Sequence, residues 1–523
     1  MSTFVQEFSA WLLPYLALLS QLPFGANDRW ENLSSVLLTV GSPALAAYSI
    51  AITVLNDRWL ARLFSPYSYP NSGEAIRILS NLQQSPLGVN VDGCLLPSLV
   101  VLEYNDKWWH DLAGSLEYSQ SWSMSAAMSI AWVVVAYVFT VIDSLDKINS
   151  DNAGTEEVNS SGQAVGALWF WLLPVVTCWL QLSPKCDNKR VGEAIERANS
   201  DDAYAATESE DNIVPASRPG ALHILGNDQR TALYADQHIT VPIYNYSRLF
   251  TWTSAVQSVA GCFSEATRHA RSHEPVNPEA DWLEGDSNVK IRAEYRSGTS
   301  LQIEAYCFLD PRQRSPHLDS SIWSRMFVSY LAALFLQWGT ARAATWTVYS
   351  TPTAGFGCRS GAYLLYTVTA TVASFMLVSS SILAHYATAY SSQLSSGLRN
   401  GAYKALPAVP PTPKSASQAR EMAAKISGWL SILLRRSGKF LAVSNAVWIT
   451  VICSFQFTGF FDRCYCDGSV IGRGENNAYV VLTLLKPDIE FIKVPWIGGV
   501  FLAVGTSALF VIFINLKRPS LRQ

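Results

Sequence analysis

Eight stretches of about twenty mostly apolar residues punctuate this chain: Phe8 to Ala26, Leu33 to Leu55, Trp122 to Ile142, Gln163 to Ser183, Met326 to Tyr349, Ala362 to Ala387, Phe440 to Phe461 and Val494 to Leu516. About 20 apolar residues are what a helix needs to cross a bilayer core roughly 30 Å thick. In lipid the backbone must satisfy its own hydrogen bonds, so each stretch is expected to be a helix. The fold class that follows is an all-α membrane protein, with eight transmembrane helices and a small α+β cytosolic insertion.

Composition excludes the competing classes. Of the 523 residues 49% are hydrophobic and 15% charged, against about 25% charged in an ordinary soluble chain. A net charge of -3 argues against a nucleic-acid partner, which would call for a basic domain or stripe. Residues 1 to 7 contain no Lys or Arg and no A-x-A site follows the first run, so that run reads as a retained span and not a cleaved signal.

Orientation follows from the basic residues of the connections. With both termini cytosolic, the inner segments hold 29 Lys and Arg and the outer ones 7. The expected organisation is four spans in residues 1–183 with a cytosolic loop at 56–121, a partly disordered cytosolic insertion at 184–325, and four spans in 326–523 with a cytosolic loop at 388–438. A sequon at Asn159 falls on the outer side, where a glycan is accepted. Cys358, Cys464 and Cys466 fall there too, and a disulfide between two of them is one way to staple the outer loops. The localisation expected is a plasma or secretory-pathway membrane.

Within the insertion, Ala198 to Asp211 is acidic and rich in small residues and reads as a linker. Ile239 to Tyr244 reads as a strand, Leu249 to Arg271 as an amphipathic helix, and Lys290 to Glu294 with Leu301 to Phe308 as two further strands. Met422, Ile426, Trp429, Leu430 and Leu433 share one helical face. Arg420, Lys425, Arg435 and Arg436 flank it, as in an interfacial helix reaching anionic headgroups.

Candidate chemistry is sparse. Arg342 is the clear charge inside a span, where a central Arg costs about 2.5–3.5 kcal/mol on insertion scales. Gly339 and Ala343 beside it allow close helix approach. Thr367, Thr371 and Ser374 in the sixth span are either interhelical glue or the lining of a polar ligand path, and Asp143 is a second intramembrane ionisable group. His269 and His273 stand i, i+4 with no Cys or helical Glu to complete a metal set. The Asp106–Asp111 stretch lacks the second acidic segment of a magnesium-binding prenyltransferase, so Trp108 and Trp109 there read as interfacial anchors. No Walker A loop, G-x-G-x-x-G, H-E-x-x-H or G-x-S-x-G occurs, and no cofactor, metal or catalytic residue is assigned.

Several of these segments together carry a resemblance. They are the outer loop TPTAGFGCRSG (351–361) with the preceding Gln337-Trp338-Gly339-Thr340, the Asn105–Trp109 stretch, the span ending Val141-Ile142-Asp143, and Cys464-Tyr465-Cys466. The chain resembles a family of fungal polytopic integral membrane proteins of unassigned function, with Arg342 departing from the small or hydroxyl residue of the family pattern. The resemblance implies an accessory role in a specialised-metabolite pathway, and the first reading is a transport or accessory component acting on a small apolar molecule from a cavity between spans five to seven. Two other readings remain open. One is a membrane-embedded, cyclase-like enzyme using Asp143 and Arg342; the other is a scaffold that recruits a cytosolic protein through 184–325.

Overall fold

The computed structural model describes residues 8–10, 12–22, 29–90, 93–118, 122–149, 161–208, 213–216, 220–225, 233, 235–239, 241–280, 282, 291–308, 320–351, 355–399, 414–458 and 486–519; Asn159, Cys464 and Cys466 lie outside them. Helices dominate. Among the described residues, five are long and apolar enough to cross a membrane, or six if one sharply bent pair counts as a span. They are α7 (Met124–Asn149), the pair α8 (Ser161–Trp169) and α9 (Leu172–Leu182), α14 (Cys358–Arg399), α15 (Lys414–Phe457) and α16 (Lys486–Lys517).

The other expected spans are not confirmed among the described residues. In the first run the described residues hold a short helix, α1 (Leu13–Leu19), and residues 8–10 are helical too. The second is split into α2 (Arg29–Gly41) and α3 (Pro43–Phe64), bent by 99°. The fifth lies in α13 (Ser320–Ser350), long enough at about 1.5 Å per residue but made polar by Gln337, Thr340, Arg342, Thr345 and Thr347. It packs against α3, α8, α14 and α16, and protein contacts replace the lipid that would otherwise demand a more apolar surface. Small residues set that packing: a Cβ on Gly339 would meet the Thr506 side chain at 2.3 Å, and one on Gly499 the Thr347 hydroxyl at 2.6 Å.

A second hydrophobic core forms a lobe at one end of the bundle. It joins two segments that sequence reading kept apart. From the first come the end of α3 (Leu60, Phe64), α4 (Ser72–Asn81), β1 (Leu87–Val89), α5 (Leu95–Val101) and α6 (Asp106–Leu116). From the second come α10 (Asn188–Asp201), β2 (Tyr204–Ala206), β3 (Ile213–Pro215), β4 (Leu222–Ile224), α11 (Asn245–Arg271) and α12 (Ser300–Tyr306). β1 and β4 pair antiparallel with Gly88 opposite His223, and β2 pairs with β3. Trp108 and Trp109 are completely buried in this core, not anchored at an interface, and their ring nitrogens bond Asn199 and the Leu99 carbonyl. Asp106 accepts a two-pronged contact from buried Arg296.

Three strand expectations are overturned. Residues 242–244 form a 3-10 turn that leads into α11, and 293–296 form another. Residues 300–306 are helical because Thr299 and Gln302 form a reciprocal capping box at the start of α12. The linker expected at 198–211 instead contains the end of α10 and strand β2. Helix α11 agrees with expectation and begins four residues earlier. The apolar row at Met422, Ile426, Trp429 and Leu433 is exposed on α15, continuous with the span as expected. Arg435 departs from the headgroup role: it is buried and donates to the Leu233 carbonyl at 2.6 Å.

Candidate site at the broken helix

The Gly41-Ser42-Pro43 sequence dictates the break. Pro43 has no N–H to continue the ladder and excludes the residue before it from helical geometry. Ser42 accordingly sits at φ -144°, ψ 77°. Gly41 lets α15 approach so closely that a Cβ would lie 1.8 Å from the Ala442 carbonyl oxygen.

Breaking a helix inside an apolar bundle frees carbonyls at one end and amides at the other, and each freed group costs about 1–3 kcal/mol if buried without a partner. Side chains from three neighbouring helices meet the need. Asn445 on α15 donates to Gly41 O at 2.9 Å and to Tyr366 O at 3.0 Å. Tyr366 on α14 donates to Val40 O at 2.6 Å. Gln337 on α13 accepts from the Ala44 N–H at 2.9 Å, while its own amide donates to Thr367 O and to Thr371 Oγ1 at 2.8 Å. Ser42 Oγ reaches Ala370 O. The Ser42, Gln337, Tyr366 and Asn445 side chains are buried.

The apex lies deep in the bundle. Gln337 is twelve residues along α13 from Arg325, which touches Asn56 at the lobe end, so about 18 Å of helix separates them. Both arms of the broken pair return toward the lobe. Thr39 on α2 and Ala46 on α3 line one narrow apolar cleft together with Leu22, Trp179, Val241, Pro242 and Ile243. Ser49 Oγ bonds Ile243 O at 3.3 Å, and α2 also touches the 242–244 turn.

The segment in the cleft is held by a buried polar layer. Arg248 on α11, fully enclosed, donates to Ile239 O, to Val241 O at 3.0 Å, to Asn245 Oδ1 at 2.6 Å and to Gln84 Oε1 at 3.1 Å. Burial lowers its pKa to about 10. Asn245 bonds Thr53 Oγ1 at 2.9 Å. Asp236, 2% exposed, accepts from Tyr246 OH and from Lys439 Nζ at 2.5 Å. Burial, with the Asp236 charge beside it, pushes the Tyr246 phenol well above its usual range.

Of the hydroxyl residues singled out from sequence, Thr371 meets the apex by its side chain and Thr367 by its carbonyl, while Ser374 lies one turn further along α14. Thr371 takes hydrogen bonds from both Gln337 and Trp338, Thr367 bonds Tyr363 O, and Ser374 bonds Tyr330 OH at 3.0 Å. Arg342 does not join them; it is on the exposed side of α13, as Asp143 is on α7. Cys358 stands at the start of α14. His269 stacks on Tyr306, and among the described residues no group of side chains is arranged to hold a metal. Sequence reading missed Gln337 as a capping residue, Tyr366 and Asn445, although Gly41-Ser42-Pro43 inside an apolar run was a visible breaker signal.

Comparison with protein-family models, with curated proteins and with solved structures finds no match to this chain.

Proposed function

We propose that the chain is a membrane transport component that moves a small apolar molecule past a re-entrant hairpin formed by α2 and α3, in the metabolite-pathway setting its family resemblance implies. The observation that carries this reading is the buried 99° break, capped by side chains from α13, α14 and α15. Non-helical backbone at membrane depth persists where it is buried in protein or lines a cavity, and transporters build their sites on such discontinuous helices. Thr367, Thr371 and Ser374 would line the path once the apex moves.

This reading carries a topology of seven crossings and one re-entrant hairpin. Phe8 packs on Phe457, whereas Gln21 lies beside Ser125 at the start of α7. In this topology the described part of the first segment, Phe8 to Leu22, would run from the face opposite the lobe toward the lobe. The charge rule favours the change, because Arg29 moves inward and residues 1–7 carry no Lys or Arg.

Deleting the gene in its host and comparing small molecules in cells and medium tests the function. A compound that shifts between cells and medium at constant total supports transport. A compound that disappears while a precursor accumulates would replace it with the enzyme reading. Epitope tags before residue 1 and within 226–230 test the topology: they should be reachable from opposite sides, and tags reachable from the same side would restore the even number of crossings. Asn159→Gln should remove a glycan on the outer face.

A further inference from the structure

We propose that Val241–Tyr244 is a plug that closes the mouth of the α2–α3 hairpin from the lobe side, latched by Asp236 to Lys439 on α15. The proposal rests on the transport reading only for what would pass; the closure itself comes from the packing. Val241, Pro242 and Ile243 are buried between the two arms, and Val241, Ile243 and Tyr244 join the core of the bundle, not that of the lobe. Yet they are borne by the lobe, for they lead directly into α11, whose later turns pack in the lobe core.

The hold on this segment is made by side chains. Arg248 grips the Ile239 and Val241 carbonyls from below, and Ser49 grips the Ile243 carbonyl from the hairpin. Asp236 reaches across to Lys439 at 2.5 Å, with Arg435 3.9 Å away. Lys439 is on the helix that packs along α2 and caps the apex through Asn445. One buried carboxylate thus ties the plug to the same helix that holds the broken backbone. Removing one partner of a buried ion pair leaves an uncompensated charge, so the Asp236–Lys439 contact is where the closure is held. Pro242 presents no N–H to be satisfied and has a restricted φ, so the segment can enter an apolar cleft at little polar or entropic cost.

The test places a cysteine at Thr39→Cys and follows its modification in the full-length protein by a membrane-impermeant maleimide applied from the lobe side, with peptide mapping to separate it from native thiols. The parent should label slowly. Asp236→Asn and, separately, Lys439→Met should each raise the initial rate at residue 39 by tenfold or more, while a cysteine at exposed Ser254 labels at an unchanged rate. Buried Cys262 and Cys307 report lobe integrity in the same digest. If Asp236→Asn exposes them, Lys439→Met, which acts from α15, decides the outcome. Fast labelling in the parent, or no acceleration with the lobe intact, would overturn the plug. A negative result in the gene-deletion experiment leaves this readout untouched, and a failed plug leaves the transport reading standing.

Discussion

Gly41 and Ala442 touch backbone to backbone: the site of a Cβ on Gly41 is 1.8 Å from the Ala442 carbonyl oxygen. No rotamer change relieves that overlap, because the obstructing atom is main chain. Gly41→Ala should force α2 and α15 apart and lower stability by about 3 kcal/mol or more, at the upper end of overpacking costs. Thermal unfolding in detergent measures it, with Gly505→Ala, whose Cβ has open space, as the matched control. Equal melting of the two variants would mean that the apex yields freely.

Gln337 serves three partners at the apex, one as acceptor and two as donor. Gln337→Ala leaves the Ala44 N–H buried without its acceptor and should cost about 1–3 kcal/mol. Gln337→Glu keeps the acceptor and loses the donor side, so amide exchange at Ala44 should rise in the alanine variant more than in the glutamate one. The reverse order would show that Thr367 and Thr371, not Ala44, dominate the role of Gln337.

In the lobe, Arg296 is 3% exposed and Asp106 38%. Asp106→Ala should cost about 2 kcal/mol, short of the roughly 3–5 of a fully buried pair because solvent already screens the carboxylate. Arg296 keeps its bonds to the Val101 and Leu102 carbonyls, so the variant should fold and lose its midpoint in a denaturant titration. A shift beyond about 5 kcal/mol would mean that the pair, not the Trp108–Trp109 core, organises the lobe.

Burial holds the His223 imidazole below its ordinary value of 6.5. The unfolded chain therefore takes up this proton first as pH falls, and the neutral-ring contribution, full above about 6.5, is lost below it. Amide exchange at Leu222–Ile224 and Leu87–Val89, corrected for intrinsic rates, should accelerate between pH 7 and pH 5. His223→Gln should remove that pH dependence. An unchanged acid response in His223→Gln would move its origin elsewhere.

What the sequence discloses divides along physical lines. Apolar length is a local property, so α7, α14, α15 and α16 are legible, as is α11 from its periodicity. The alternation at 301–308 suits a strand and a short helix equally, and only the Thr299–Gln302 box separates them. The joining of residues 60–116 to 191–307 depends on contacts such as Leu87 with Ile224, which no local pattern encodes. At the site, hydroxyls on α14 were visible as a cluster. That Gln337, Tyr366 and Asn445 converge on one break required three helices to be placed side by side.

The two-part lobe also fixes an order of events during synthesis. Helices α4 to α6 emerge with their apolar faces complete, but α11 and α12, which cover them, follow only after α7, α8 and α9 have been threaded. At 5–20 residues per second this is a wait on the order of ten to forty seconds. Until α10, and then α11 and α12, arrive, Trp108, Trp109 and Leu112 have only the cover that the first half supplies. A stalled or inverted α7–α9 insertion would leave those tryptophans without Asn199 and Phe263, the second-half partners they meet in the folded lobe.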